Sequence, residues 1–394
     1  MLRRSLERGP HQDMESFSAS TGASERVALI KVATEDSLEG VGPNLWNSLW
    51  KRSENPSVFA RYEWASAWCR AFGADSVIRV YTAWIDSTLV GALPTMWPQH
   101  RQAPVVLIGD WHADYAGVLI DRQVPEAFPV LLEAVCADVP VSGRLCIAEV
   151  RSDSSYREEL ERRCSATGSR WLRIEQTNCP RTEITPERVQ AIINKDSLKR
   201  HARKLRKLGD VVVRHEVDPA QILPRLDDFF AQHVARWAHT ASPSLFLDER
   251  NRVFYRELVK AFAGTGQLVF TEVTLDDRPV AFHLGFLSEG DFIWYKPSFE
   301  PELAKVSPGE TLLRELFLWA LENGLTGFDF TRGGESFKAR FATHQRHTAT
   351  YVYYGNRVSA LSARGWREAK RLARERLPAP VAGMARRWLH RFQG

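Results

Sequence analysis

A strand hairpin occurs twice in this chain, at positions that differ by a constant 190 residues. The first copy is Val77–Ile85 followed by Leu89–Pro94, and the second is Leu268–Leu275 followed by Val280–Phe286. Both are rich in β-branched and aromatic residues and break at aspartate-containing turns. Because helical patterns precede and follow each hairpin, the simplest interpretation is two tandem copies of one α/β unit.

This repeat divides the chain into four predicted segments. Residues 1–26 are polar and rich in small residues, and we predict that they are disordered. Residues 27–182 and 185–357 are the two α/β units, each predicted as a mixed, mostly antiparallel sheet flanked by helices, with pairing strands that join the units. Residues 358–394 form a basic, amphipathic helical tail.

The positive charge is local. The chain has a net charge of +5, but residues 355–394 contain 10 Lys or Arg against 2 acids, so the other 354 residues have a net charge of −3. A second basic segment, Asp196–Gly209, is predicted as a helix with a narrow apolar face and Lys or Arg on the other faces. The residues of that apolar face are Leu198, Ala202, Leu205 and Leu208. We therefore expect local attraction to anions and no DNA-binding surface.

The sequence predicts a cytoplasmic protein. No run approaches the roughly 18 to 20 apolar residues that span a bilayer, and the first ten residues lack the apolar core of a signal peptide. The five cysteines have no metal-ligand or redox spacing, so we expect neither a disulfide framework nor a metal site. The basic tail adds the expectation of association with the inner face of the membrane.

A helix start in the second unit is a candidate anion site. Ser307 is predicted as the N-cap, with Pro308 at the first helical position. Free backbone N–H groups and the helix dipole favour phosphates at such a position. The candidate contacts are therefore Ser307, Gly309, Glu310 and Thr311. An ordinary capped helix is the alternative, and the acidic Glu310 favours it.

The last predicted strand of the second unit ends in a polar cluster. Asp329 lies between Phe328 and Phe330, so its side chain should point away from the core, where a carboxylate can orient or deprotonate an amine. Glu335 and Lys338 are three residues apart and should share one face of a helical turn. A structural ion-pair cluster is the alternative interpretation.

Four further residues are weaker candidates. His283 and Tyr295 lie on predicted strands, where such residues are also common in cores. Asp114 and Tyr115 belong to the polar and aromatic loop Gly109–Gly117 of the first unit, where a substrate could be held. The first unit lacks both the Ser-Pro-Gly-Glu helix start and the glycine-rich strand end, so we predict that it is degenerate as a cofactor binder.

These stretches resemble tandem acyltransferases of the GNAT superfamily, in the CelD-like group associated with cellulose and other polysaccharide biosynthesis and related to Fem-type aminoacyl transferases. The resemblance covers roughly Trp46 to Tyr354. Its most specific part is Phe328-Asp-Phe-Thr-Arg-Gly-Gly-Glu335, followed by Phe337-Lys338. The chain departs from the GNAT pattern because it retains only Gly309 of the glycine-rich pyrophosphate loop.

The resemblance implies an N-acyltransferase. It would move an acyl group from acetyl-CoA or another acyl-CoA to an amine of an amino-sugar or amino-acid-like acceptor, in polysaccharide or cell-envelope biosynthesis, without a metal. The implied catalytic residues are Asp329, Glu335, His283 and Tyr295. The implied contacts of the coenzyme A pyrophosphate are Ser307, Gly309, Glu310 and Thr311, and those of the acceptor are Asp114, Tyr115, Lys338 and Arg200.

Two alternatives stay open. A Fem-like transferase that uses aminoacyl-tRNA is favoured by the basic helix and the basic tail, since both suit a phosphate backbone. A non-catalytic GNAT-like binding component of a polysaccharide-export system is the other, with the tail as its anchor. In the tail, Trp366 and Leu372 lie among arginines, which suits an acidic membrane surface or an RNA. A helix packed on the protein body is the plainer alternative.

Overall fold

The repeated hairpins lie near opposite ends of one continuous sheet in the computed structural model, which describes residues 29–99, 103–238, 240 and 243–376. The predicted disordered segment 1–26 and tail residues 377–394 lie outside the described residues. The strands of the first half are β1 (Lys31–Glu35), β2 (Val77–Ile85), β3 (Thr88–Trp97), β4 (Val105–Leu107), β5 (Leu119–Ile120), β6 (Arg144–Arg151) and β7 (Trp171–Glu183). The strands of the second half are β8 (Val211–Glu216), β9 (Leu268–Leu275), β10 (Arg278–Ser288), β11 (Asp291–Phe299), β12 (Gly327–Asp329) and β13 (His344–Tyr354).

Helices flank this sheet. The α-helices are α1 (Pro43–Arg52), α2 (Tyr62–Phe72), α3 (Ala127–Asp138), α4 (Arg157–Ser165), α5 (Pro186–Ile193), α6 (Asp196–Arg206), α7 (Pro219–Ile222), α8 (Leu226–Trp237), α9 (Glu249–Ala261), α10 (Pro308–Glu322), α11 (Ser336–Ala339) and α12 (Arg357–Arg376). Short 3₁₀ turns span Val58–Ala60, Gly73–Asp75, Leu223–Arg225, Leu245–Leu247 and Pro301–Val306. Among the helices of the described ranges, none is long and apolar enough to cross a membrane.

The strand order is β1-β2-β3-β4-β6-β13-β7-β12-β11-β10-β9-β8, with β5 beside β3. Each half contributes an antiparallel hairpin and one parallel pair, β4 with β6 and β11 with β12. The two halves also exchange strands, because β13 lies between β6 and β7 while β7 pairs with β12. The predicted fold class, a mixed sheet flanked by helices, is confirmed. The boundary expected near residues 182–185 falls between β7 and α5, and it stays a prediction because both halves share one sheet.

Alternate residues of β11 serve the two faces of this sheet, as the period of a strand requires. Phe292 packs with the α10 side of the core, whereas Ile293 and Tyr295 pack with α2 and α9 on the other side. There Trp64 of the first half contacts the ring of Tyr295 edge-on, with centroids 5.6 Å apart. The two halves therefore share a core as well as a sheet.

The basic segment predicted between the halves forms α6. Leu198, Ala202 and Leu205 are buried as predicted. Leu208 was expected on the same face, but the helix ends at Arg206, and Leu208 lies beyond it with 53% of its surface exposed.

A bulge in the β10–β11 pair gives His283 a structural partner. The register shifts between Leu284 and Phe286, so the Tyr295 amide is displaced from the regular ladder and donates to His283 Nε2 at 3.2 Å. Burial lowers the pKa of His283 to about 3, which keeps this nitrogen available as an acceptor. A Cβ at Gly285 would lie 2.3 Å from His283 Cε1, so the histidine ring fills the space beside this glycine.

We predict that His283 makes the free energy of unfolding decrease as the pH falls. The unfolded chain takes up a proton near pH 6.5, whereas the folded chain does so only near pH 3, so stability is complete above about pH 6.5 and falls as pH decreases towards 3. One such histidine contributes a slope of about 1.4 kcal/mol per pH unit. Denaturant unfolding between about pH 7.5 and 5 measures the slope.

Two variants separate this effect from the titration of carboxyl groups. His283→Gln keeps an acceptor but does not titrate, so its unfolding free energy should depend less steeply on pH. His344→Gln removes an exposed histidine and should leave the slope unchanged. Equal slopes for both variants and the original chain would contradict a structural role for a neutral His283.

Candidate functional site

A cavity opens where two parallel strands separate. β11 and β12 pair from Asp291 with Gly327 to Ile293 with Asp329, and no further pairing follows. Beyond that point the chain of the second strand turns away, with Thr331 in the left-handed region at φ 56°. A cavity of about 640 Å³, here called the main cavity, lies between the separated segments and the start of α10.

The start of α10 forms part of the cavity wall. Ser307, Gly309 and Glu310 line the main cavity, whereas Thr311 is fully buried beside it. Ser307 occupies the predicted N-cap position, but it has φ 50° and its hydroxyl donates to Ala304 O instead of capping the helix. Ser307 is therefore the N-cap as predicted, but its side chain makes no capping hydrogen bond, because the left-handed backbone turns it towards the preceding 3₁₀ turn.

Glu310 is neutralised by two neighbours. Its carboxylate contacts His201 Nδ1 of α6 at 2.6 Å and Arg340 Nη1 at 3.1 Å. These contacts offset the charge that would oppose an anion at this helix start. Arg200, which precedes His201 in α6, is exposed and does not line the cavity.

Three basic side chains face the cavity, and only one of them was predicted from the sequence. Lys338 was predicted, and its Nζ lies 3.0 Å from Glu335 Oε2. Arg332 contacts Asp114 at 2.8 Å and Glu149 at 3.1 Å. Lys296 of β11 is half-buried and has no hydrogen bond or ion pair among the described residues, and burial lowers its pKa.

Lys296 was missed because nothing in the local sequence marks it. Its position matters only because β11 loses its β12 partner before reaching it, and that depends on the pairing of segments more than thirty residues apart. The Lys-Pro step inside this strand was the available signal, since Pro297 cannot donate a ladder hydrogen bond.

The loop predicted to hold a substrate crosses from the first half to the main cavity. Asp114 lines the cavity, and Tyr295 Oη donates to His112 O of the same loop at 2.8 Å. Tyr255 Oη donates to Tyr295 Oη at 3.0 Å, so the hydroxyl of this predicted catalytic residue is already engaged. Gly109 has φ 82°, and a Cβ there would lie 2.7 Å from Trp64 Nε1, so the loop requires glycine at this point.

Asp329 faces a different space from the main cavity. It is 1% exposed and borders a second cavity of about 290 Å³. Tyr115 Oη lies 2.9 Å from each carboxylate oxygen, the Thr331 amide donates at 2.7 Å, and Arg346 Nη1 lies at 3.3 Å. Burial raises the pKa of Asp329, while Arg346 and the amide oppose that shift. These contacts resemble the structural ion-pair alternative more than an open catalytic group.

The main cavity thus brings together only part of the predicted set. The predicted residues that line it are Asp114, Tyr295, Ser307, Gly309, Glu310, Glu335 and Lys338. The predicted residues that do not are Arg200, Tyr115, His283, Thr311 and Asp329. Within the described ranges, no group of His, Cys, Asp and Glu is arranged to hold a metal ion.

The equivalent place in the first half is closed. β4 and β6 pair in parallel at Val105 with Leu145 and Val106 with Cys146, as β11 and β12 do. The fissure beyond them, between Ile108 and Ala148, is too narrow to hold a water molecule. The first half therefore offers no comparable space for a ligand at that point.

Comparisons with known proteins agree with this geometry. Residues 194–339 match the family model of an acetyltransferase (GNAT) domain, so the second half contains a GNAT-type domain. A search of curated proteins finds no match. At this level of similarity the solved structures below show a shared fold only.

Three solved structures resemble the chain over most of its length. FemX has a TM-score of 0.56 at 11% identity, covering 82% of this chain and 97% of its own. A conserved protein of unknown function from Bacteroides thetaiotaomicron VPI-5482 has a TM-score of 0.55 at 11% identity, covering 82% and 100%. The C-terminal domain of an Agrobacterium fabrum protein, named as a lysylphosphatidylglycerol synthetase, has a TM-score of 0.51 at 11% identity, covering 86% and 95%.

We predict that the contacts of Asp329 stabilise the fold. Tyr115→Phe removes a hydroxyl from a buried carboxylate, so the free energy of unfolding should fall by about 1.5 to 3 kcal/mol. Glu335→Gln changes an exposed side chain and should alter the free energy of unfolding by less than about 0.5 kcal/mol. Denaturant unfolding compares them, and equal stability of the two variants would contradict the structural role of Asp329.

Proposed function

We propose that this protein is an N-acyltransferase whose main cavity holds an acyl-CoA donor. One observation carries the proposal: a cavity of about 640 Å³ opens where β11 and β12 separate, inside the residues that match an acetyltransferase domain. Beyond Ile293, backbone groups of β11 no longer have a β12 partner. An extended donor lying between the strands would take that partner's place.

The cavity wall has the chemistry that such a donor needs. Apolar side chains, including Trp294, Leu313 and Phe337, would contact the pantetheine arm. Gly309 brings the first turn of α10 to the cavity without a side chain, where a pyrophosphate would be favoured by the helix dipole. Lys296 and Lys338 lie on the same wall, where they would face the thioester end of the donor.

The reaction would be a direct transfer. The acceptor ammonium first loses a proton, its nitrogen attacks the thioester carbonyl carbon, and the C–S bond breaks as the C–N bond forms. The nitrogen then loses its second proton, which the leaving thiolate takes up, so the products are an amide and the free thiol of coenzyme A. Glu335 lines the cavity and is held by Lys338, so we assign it the removal of the proton. Lys296 has no hydrogen bond or ion pair among the described residues, and its ammonium lies 4.5 Å from the centre of the Tyr295 ring. We therefore assign it the stabilisation of the leaving thiolate, in place of Tyr295, whose hydroxyl donates to His112 O.

The acceptor would enter beside the loop of the first half. Asp114 and Arg332 form an ion pair on that side of the cavity, and both line it. A carboxylate next to a guanidinium suits an acceptor with an amine and further polar groups, such as an amino sugar or an amino-acid-like compound. A cytoplasmic role in polysaccharide or cell-envelope biosynthesis, as in CelD-like proteins, is part of this proposal.

One observation favours a second candidate, a Fem-like transferase that uses aminoacyl-tRNA. His201 joins α6 to Glu310 on the cavity wall, so α6 packs beside the cavity while Arg200, Arg203 and Lys204 are exposed. An exposed row of cations next to a donor site suits an RNA backbone. The main cavity is large enough for coenzyme A, which makes acyl-CoA our first choice.

We predict that one acyl-CoA binds per chain. Calorimetry with acetyl-CoA should give a stoichiometry of one, because the fissure of the first half is closed.

Lys296→Met should weaken the Kd roughly 10- to 100-fold, the usual effect of losing a charge-assisted contact. Lys51→Met, an exposed lysine of the first half, is the matched control and should bind normally. Two sites per chain, or an unchanged Kd for Lys296→Met, would contradict the assignment.

We also predict that Glu335 acts in the chemical step. Glu335→Gln should lower turnover on the order of a hundredfold without loss of stability. Release of free thiol from acetyl-CoA, measured over a panel of amino sugars and amino acids, provides the assay. If acetyl-CoA binds but no amine is acylated, the non-catalytic alternative is favoured; if only aminoacyl-tRNA supports transfer, the second candidate is.

A further inference from the structure

Helix α12 packs on the protein through its charged face. Arg364 Nη2 donates to Ser169 O at 3.1 Å and to Trp171 O at 3.0 Å. One turn further, Arg367 donates to the carbonyls of Arg173 and Ile174, the latter at 2.9 Å. Arginines thus fasten this helix to exposed carbonyl groups at the start of β7.

The outward face of α12 is consequently apolar. Val358 is 73% exposed, Leu361 63%, Trp366 60% and Leu372 37%. Val358, Leu361 and Leu372, with Gly365 and Ala369 between them, follow intervals of three and four residues, so they form one stripe along the helix, with Trp366 at its edge. A surface helix of a globular protein normally has the opposite orientation, with its apolar stripe against the core. Here the stripe faces away from the protein.

The charge of the helix indicates which kind of partner could cover this stripe. α12 contains 7 Lys or Arg against 2 Glu, a net charge of +5. A second copy would bring two helices of charge +5 together, which electrostatic repulsion opposes. An RNA backbone is bound mainly through cations, whereas the outward face of this helix is largely apolar and Arg364 and Arg367 point inward.

An anionic bilayer fits both properties. Apolar side chains can enter the boundary between headgroups and acyl chains while neighbouring cations meet lipid phosphates. Arg357 is exposed at the start of the helix, next to Val358, so a cation is available beside the stripe. No described helix is long and apolar enough to span the bilayer, so the contact would be with its surface.

We propose that α12 is an interfacial helix that docks the protein on an anionic membrane surface through Val358, Leu361, Trp366 and Leu372. Arg364 and Arg367 hold the helix on β7 and so connect the membrane contact to the sheet. The inference does not depend on the acyltransferase proposal.

Vesicle sedimentation tests this with the full chain. The protein should bind vesicles of phosphatidylcholine with about one third phosphatidylglycerol, more strongly at low salt, and should bind pure phosphatidylcholine far less. Leu361→Ser with Leu372→Ser should weaken binding at least tenfold, because two buried leucines would be lost from the interface. Val217→Ser with Leu247→Ser changes two exposed apolar residues elsewhere, 58% and 64% exposed, and should bind like the original chain.

Several outcomes would overturn the proposal. Equal vesicle binding by the two double variants would show that the stripe is not the contact. A dimer in solution that only Leu361→Ser with Leu372→Ser dissociates, without vesicle binding, would assign the stripe to a second copy. Loss of vesicle binding only after removal of residues 377–394 would place the contact there instead. Trp366→Ser, a single substitution at the edge of the stripe, should weaken vesicle binding severalfold. Unchanged melting temperatures verify that each variant is folded.

Discussion

The hydrogen bond from Tyr115 to Asp329 joins the two halves at the point where β11 and β12 separate. Asp329 occupies the last paired position of β12, and Ile293 is its partner on β11. A carboxylate with 1% exposure needs donors, and it receives them from a loop of the first half and from Arg346 of β13. The rest of the site depends on this anchor, because it determines where the strands part and therefore where the main cavity begins.

The two halves have unequal roles built from one pattern. Both contain a parallel strand pair, but only the second opens into a cavity, since the fissure of the first is filled. The first half instead contributes the loop that contains Asp114 and Tyr115. Asp114 lines the main cavity, and Tyr115 lines the second cavity beside Asp329. The exchanged strands β7 and β13 make this arrangement rigid, because neither half can move without breaking ladder hydrogen bonds to the other. The first half thus contributes residues to the walls of both cavities of the second half.

The sequence predicted what depends on local pattern. Strand alternation and the Ser-Pro-Gly helix start are local, so the hairpins and the start of α10 at Pro308 were found correctly. The candidate site was predicted in part, because Glu335, Lys338, Gly309 and Asp114 do line the main cavity. Burial and register are not local. Three features of the structure depend on segments that are distant in the sequence. They are the bulge at which His283 accepts a hydrogen bond, the strand pairing that ends before Lys296, and the carbonyl groups to which the arginines of α12 donate.

The central claim is that the separation of β11 and β12 creates the donor site of the second half. A crystal structure of the protein with acetyl-CoA bound tests this most directly. Our account predicts that the pantetheine arm lies between the two strands, with the pyrophosphate beside Gly309 and the thioester within reach of Lys296 and Glu335. A donor bound in the second cavity beside Asp329, or against the first half, would contradict it.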